Sequence, residues 1–323
     1  GEYGTWVKIS KSDTWLNPNT NEIIVPTQQE LEKVKNMKIP PMWRPAFICN
    51  DNPKIAWLAK GKGGKLQYGY TQAWKKRREN LKILHIFKSM NSHFWNKFYS
   101  SIAHDKNKST LAIAKTILNA CHFRTGGGST SGTTGLTTLK GEHISETESG
   151  IVIDFVGKSN VKNHCVIENL NYPNANEYMR NVADGDWLLP GLKPKDLRSH
   201  LKDNYGITPK DFRTYFANLK FVATLRNHQG MTDPNTKRGR KSNITLALKE
   251  VSRDLNNTPS VCKKSYVFRE LMDMYENTEL WDNTSTAHDD DHDFLFELLK
   301  NIVTKSETLL EMSDDGDFSS DDE

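Results

Sequence analysis

Hydrophobic positions along this chain follow two rhythms, and the change between them falls near residue 72. Up to about residue 70 the apolar and aromatic residues come in short runs, such as Ala46-Phe47-Ile48 and Ile55-Ala56-Trp57-Leu58-Ala59. Asn50-Asp51-Asn52-Pro53 and Gly61-Lys62-Gly63-Gly64 separate them, and clusters of this kind end strands. Leu66 to Tyr70 follows the glycine turn as a further strand. From Gln72 to Ser89 the pattern turns helical, with Leu81, Leu84, Ile86 and Phe87 set among basic residues.

Phe94 to about Ala120 also reads as helical, and a Gly/Ser/Thr loop follows from Thr125 to Thr134, with little tendency to order by itself. Ile151 to Val156 alternates as a strand. Gly157-Lys158-Ser159-Asn160 is turn-forming, and Val161 to Ile167 returns as the hairpin partner. Pro209 suits the first turn of a helix over Lys210 to Leu225. A helix over Asn243 to Leu255 ends at Asn256-Asn257-Thr258-Pro259, and the next begins near Pro259 and carries Tyr266. The fold class expected is α+β: a small β-rich domain over residues 1–74, a larger, mainly α-helical domain over 75–283, and an acidic, largely disordered tail over 284–323.

Composition narrows the class. A length of 323 residues suits two domains at roughly 100–200 residues each. No run approaches the ~18 apolar residues that span a bilayer, and no signal peptide is visible at the amino end. Cys49, Cys121, Cys165 and Cys262 lie far apart, so neither a zinc site nor a disulfide framework is expected, and a reducing, intracellular compartment fits best. Charge is divided unevenly. From Ala287 onward thirteen acidic residues face only Lys300 and Lys305, while the whole chain carries +4, so the body is strongly basic. A basic body suits a polyanionic partner, although charge alone does not separate a DNA-binding protein from an ordinary basic enzyme.

Residue types add the chemistry. Transfer of a DNA phosphodiester to a tyrosine without a metal needs cationic forks for the non-bridging oxygens, a proton donor for the leaving oxygen and a positioned phenol. Arginine suits the first task and lysine the second. The chain offers, in order, Phe123-Arg124-Thr125-Gly126, Gly135-Leu136-Thr137-Thr138-Leu139-Lys140, Phe155-Val156-Gly157-Lys158 and Lys210-Asp211-Phe212-Arg213-Thr214-Tyr215. Asn257-Thr258-Pro259 and Lys263-Lys264-Ser265-Tyr266 complete the series. Alone, each such residue is more often a solvated or ion-paired surface group. Their joint order carries the reading.

Over about Gln67 to Phe268 these segments resemble the type IB DNA topoisomerases, most closely the compact poxvirus-type enzymes of large DNA viruses and some bacteria. The resemblance implies that Tyr266 attacks a phosphodiester and holds the cut strand as a 3′-phosphotyrosine. It implies that Arg124 and Arg213 bind the scissile phosphate and that Lys158 protonates the departing 5′-hydroxyl. Supercoils then relax and the strand is resealed with no cofactor, ATP or metal. DNA contacts are implied for Gln67, Tyr68, Tyr70, Lys140 and Lys210, while Tyr68 and Tyr70, on one face of their strand, read equally as a core pair. The partner implied is double-stranded DNA, clamped by a monomer without membrane association, wherever that DNA lies: virion or viral replication compartment, nucleus or nucleoid. Lys75-Lys76-Arg77-Arg78 and Lys237-Arg238-Gly239-Arg240-Lys241 are further candidate backbone contacts. The first also reads as a nuclear import signal, and either as a solvated face.

Two departures from the family matter. Asn257 stands where the poxvirus enzymes have a histidine, nine residues before the nucleophile. An asparagine amide donates the same hydrogen bond without the charge, and Asn257 also reads as a helix cap before Thr258-Pro259. The loop after Arg124 lacks the basic and aromatic side chains that read bases, so looser sequence choice is expected. Tyrosine site-specific recombinases are the nearest alternative, but they usually place a histidine three residues before the second arginine, where this chain has Lys210. The tail reads as a ligand for a basic partner, a competitor of DNA or a solubilising segment. His288 and His292 among its aspartates read as a solvated acidic run rather than a metal site.

Overall fold

The computed structural model describes residues 5–103, 109–127, 132–227, 232–284, 288 and 290–310. Strands β1 (Trp6–Ile9), β2 (Trp15–Leu16), β3 (Ala46–Cys49), β4 (Ile55–Lys60) and β5 (Leu66–Tyr70) form an antiparallel sheet in the order β2-β1-β3-β4-β5. Alternation sends Val7, Ile9, Ala46, Ile48 and Ala59 into one core with Trp15 and Ile39. Helix α1 (Gln28–Asn36) packs Val34 against this core and is opened by a Thr27–Glu30 capping box. The apolar runs did not predict α1, because no residue of it is fully buried and its stripe is short.

The chain divides into two compact units, one running to Lys82 and resuming at Ile302, the other spanning Ile83–Asn301. The division falls inside α2 (Gln72–Ser89), not at its start. In the larger unit the helical span expected over 94–120 resolves into α3 (Ser92–Ala103) and α4 (Thr110–Cys121). Ser109 caps α4, accepting the Ala112 N–H at 3.1 Å. Strands β6 (Ile144–Glu146), β7 (Gly150–Val156) and β8 (Lys162–Glu168) form a second antiparallel sheet in sequence order. Helices α5 (Pro173–Arg180), α6 (Pro194–Tyr205), α7 (Pro209–Asn227), α8 (Lys237–Leu255), α9 (Pro259–Ser265) and α10 (Arg269–Glu276) complete the unit around Phe98, Phe123, Phe212 and Phe221, all fully buried.

Two expectations are corrected. Within the span read as an acidic, largely disordered tail, residues 291–310 form helix α11 (Asp291–Leu310), with Phe294, Leu295, Leu298, Leu299 and Val303 buried. These apolar positions recur every three to four residues, a period that the summed charge concealed. The acidic stretch 311–323 lies outside the described residues. The cysteines do not all stay free: Cys121, at the end of α4, is bonded to Cys165 in β8, with Cα atoms 5.6 Å apart. Wide separation along the chain concealed the pair, since α4 and β8 become neighbours only in the fold. Cys49 and Cys262 are free and buried. Among the described residues no helix is long and apolar enough to cross a membrane.

Candidate active site

Helix α4 stops at His122, whose left-handed φ of 56° turns the chain while its N–H still reaches Leu118 O at 3.0 Å. Phe123 is then driven into the core edge-on against Phe155 of β7, ring centres 4.9 Å apart, which sets where Arg124 emerges. The backbone after it is pinned to the far side of the glycine loop. Leu136 N donates to Arg124 O at 2.8 Å, and Thr137 donates to Thr125 O from both N and Oγ1, at 3.1 and 2.8 Å. Gly126 has φ +85°, and a Cβ on Gly135 would collide with the Gly126 backbone, so this approach needs glycine on both sides. Residues 128–131, in the middle of the loop, lie outside the described residues.

Phe155 also anchors the β7–β8 hairpin, whose tip carries Lys158. Gly157 N donates to Val161 O at 2.8 Å, and Ser159 and Asn160 take the left-handed φ values that close the turn. Lys158 is exposed there. Among the described residues, no hydrogen bond or ion pair joins it to Arg124, Arg213 or Tyr266.

Arg213 lies on α7, which a reciprocal cap starts: Asp211 accepts from Thr208 N at 2.8 Å and Thr208 Oγ1 accepts from Asp211 N at 3.3 Å. Its guanidinium is buried, and three of its nitrogens are directed. Nε donates to the Tyr266 phenolic oxygen at 3.1 Å, Nη1 donates to His122 O, and Nη2 donates to Leu255 O at 3.3 Å. The fork therefore ties the Arg124 segment, the end of α8 and the tyrosine together. Burial lowers the Arg213 pKa from its usual value; the Tyr266 phenol opposes that shift and the charge of Arg124 adds to it. Burial also holds His122 neutral, with a pKa of about 4, and pushes the neighbouring Cys262 thiol up to about 11. The niche thus holds arginine charge with no competing thiolate or imidazolium.

Tyr266 is 6% exposed and is not inside α9, as the pattern suggested, but caps its C-terminus. What holds it is a residue the sequence did not single out. Asn218, fully buried on α7, donates to Tyr266 O at 3.0 Å and to Thr214 O at 2.7 Å, and accepts from Phe268 N at 2.8 Å. Its signal in the sequence is slight: an amide five residues after Arg213, on a helix that also buries Asp211, Arg213 and Thr214. Asn218→Ala leaves the Phe268 N–H and the Tyr266 carbonyl without that partner, and is expected to cost about 1–3 kcal/mol. Chemical denaturation of the two proteins measures this, and an unchanged midpoint would show that the two backbone groups find other partners.

Thr258, not Asn257, caps α9, its Oγ1 accepting from Val261 N at 3.2 Å, so the capping reading of Asn257 gives way. Asn257 Oδ1 accepts from Thr258 N at 3.2 Å, while its Nδ2 is buried without a hydrogen-bond partner. Buried amide donors are seldom left so. Its neighbour Asn256 takes the left-handed conformation that ends α8 and grips His164 of β8 through both backbone groups, at 3.0 and 3.2 Å.

The other singled-out residues distribute over both units. On β5, Tyr68 and Tyr70 share a face, rings 5.7 Å apart, and Tyr70 lies under the Arg78 guanidinium at 5.3 Å. Gln67 and Gly69 face the other way, where Trp57 occupies the space a Gly69 side chain would need. Trp74 carries Lys54 and Arg77 over its ring at 4.9 and 5.4 Å. The smaller unit therefore presents interleaved cations and aromatic rings. In the larger unit Lys140 Nζ sits 4.7 Å over Trp187, and Lys210 lies half-buried one turn before Arg213. Of the second basic run, Lys237 and Lys241 approach Glu276 at 3.6 and 3.8 Å, and Arg240 donates to Glu276 O and Pro234 O. Arg238 in the same run is exposed. His292 pairs with Tyr215 at 3.0 Å and His288 with Glu297, and no cluster able to hold a metal occurs among the described residues.

A tyrosine bound by a buried arginine, with a second arginine beside them, sits in a unit that matches a known family. The description "Eukaryotic DNA topoisomerase I, catalytic core" fits residues 64–288, and the chain belongs to this family of type I DNA topoisomerases. It is 25% identical over 298 residues to DNA topoisomerase 1B of Acanthamoeba polyphaga mimivirus, covering 85% of this chain and 88% of that protein. To DNA topoisomerase 1B of vaccinia virus (strain Copenhagen) it is 24% identical over 294 residues, covering 86% and 90%. The resemblance to the poxvirus-type IB enzymes drawn from the sequence is borne out.

Proposed function

We propose that this chain relaxes supercoiled double-stranded DNA by cutting one strand through Tyr266 and resealing it, without ATP or metal. The observation that carries the reading is the Arg213 Nε to Tyr266 phenol hydrogen bond in a buried niche beside Arg124. The phenolic oxygen attacks phosphorus, loses its proton, and becomes the 3′-phosphotyrosyl ester, while the 5′-hydroxyl leaves. Negative charge gathers on the non-bridging oxygens and the leaving oxygen. Arg124 and Arg213 answer the first, and Lys158, carried on an exposed hairpin tip that a duplex can reach, protonates the second. The unpartnered Nδ2 of Asn257 supplies one more donor to a non-bridging oxygen, the job a histidine does in the poxvirus enzymes.

The energy of the broken phosphodiester is kept in the tyrosyl ester, so religation is the same transfer reversed. A monomer suffices, its smaller unit contributing Tyr68, Tyr70 and the Arg77–Arg78 cations to the DNA backbone. The charge of the acidic stretch 311–323 suits a basic partner. A plasmid assay in chelator without nucleotide tests the activity: ladders of relaxed topoisomers are expected, and exchange between paired sites would make the chain a recombinase instead.

Two further results are expected. Binding to a short duplex is expected to weaken steeply with salt, by roughly 10³-fold or more between 50 and 200 mM if six or more phosphates are neutralised; a flat response would remove the clamp. Cleavage mapped along one duplex is expected at many sites, because the loop after Arg124 offers Gly, Ser and Thr, with little to read a base edge. A single fixed pentanucleotide would overturn that expectation.

A further inference from the structure

Three segments of the site converge on one strand. Cys165, half-buried in the middle of β8, is joined to Cys121, three residues before Arg124. Its neighbour His164 is gripped by Asn256, the residue before Asn257. Along its whole length β8 pairs with β7, which leads into Lys158. β8 is thus tied to the segments bearing Arg124, Lys158 and Asn257. The tie to Arg124 differs from the others, because it is a covalent bond that thiols can open and disulfides can close.

We propose that Cys121–Cys165 is a reversible oxidative modification site that holds the Arg124 segment in register with the Lys158 hairpin, and so sets the rate of strand cleavage. The inference rests on the catalytic reading above. The reagent is a low-molecular-weight disulfide. The Cys165 thiolate attacks one sulfur of it and displaces a thiolate, giving a mixed disulfide. The Cys121 thiolate then attacks the Cys165 sulfur and displaces the second thiolate. The two cysteine thiols lose two protons and two electrons, and the reagent leaves as two thiols. Cys165 is the point of entry because Cys121 is only 2% exposed. Cys262 does not compete, since burial keeps its thiol protonated.

Opening the bond leaves the end of α4 held to β8 only by packing and by the weak bond from the Cys165 thiol to Ala120 O at 3.7 Å. Small displacements of a phosphate-binding group are costly, a shift of about 1 Å amounting to as much as 10²-fold. The oxidised form is therefore the faster enzyme. The test uses the full chain equilibrated with oxidised glutathione or with dithiothreitol, freed of reagent, and assayed for single-turnover cleavage of a suicide duplex. Peptide mapping and thiol counting in denaturant are expected to find Cys121 joined to Cys165 in the oxidised protein, with Cys49 and Cys262 free. The oxidised protein is expected to cleave roughly tenfold faster than the reduced. A Cys121→Ala/Cys165→Ala double variant is expected to cleave at the reduced rate under both conditions. The proposal is overturned if the pair does not form with oxidised glutathione, or if the wild-type rate is the same in both states. Because adduct formation through Tyr266 is scored in each state, failure of the staple is distinguishable from failure of the catalytic reading.

Discussion

A Tyr266→Phe protein is expected to form no covalent adduct with duplex DNA and to relax no plasmid, while binding DNA with nearly wild-type affinity. The substitution removes a single oxygen. The ring keeps its place under the Arg213 guanidinium, whose carbon lies 4.9 Å from the ring centre, and the Asn218 bonds that hold the site reach backbone and not the phenol. Loss of a nucleophile that acts as a unit with its neighbours costs on the order of 10⁴-fold or more, so the residual rate should fall below detection. Gel mobility under denaturing conditions reads the adduct and filter binding reads the affinity. An adduct that survives in this variant, or is missing from the wild type, refutes Tyr266 as the nucleophile.

Arg213→Ala is expected to produce the second largest effect, a fall of about 10³-fold in single-turnover cleavage, at the upper end of what one preorganised donor to a developing oxyanion supplies. The guanidinium does three things at once: it holds the phenolic oxygen, the His122 carbonyl and the Leu255 carbonyl. Removing it takes away charge from the proposed phosphate pocket and leaves two carbonyls without that donor. Arg213→Lys should recover little, because one ammonium lacks the fixed fork whose separate nitrogens reach three acceptors. Rates are to be compared well below each variant's unfolding midpoint, since an unpaired buried group costs about 1–3 kcal/mol. Cleavage within about tenfold of wild type in Arg213→Ala would remove this residue from the transition state.

Much of the local structure was legible along the chain. α2 spans Gln72–Ser89 as its apolar period predicts, and the β7–β8 hairpin closes around Gly157-Lys158-Ser159-Asn160 as alternation and turn residues predict. These elements follow from contacts between residues a few positions apart, which a periodic pattern records. α11 was missed for a related reason: its apolar period lies inside an acidic segment, and summing charge erased it. The helix expected over 94–120 was too long because the pattern continues smoothly on either side of the break.

By itself, then, the sequence determined the two rhythms of the chain, the basic body, and the order Arg124, Lys158, Arg213, Tyr266 that marks the family. Only the tertiary structure decided that Arg213 donates to Tyr266 across 53 positions, that Asn218 holds the tyrosine backbone, and that Cys121 meets Cys165. Which residues can do the chemistry follows from side-chain types and their order. Which of them meet depends on how helices and strands pack after long loops close, and no local period encodes those distances.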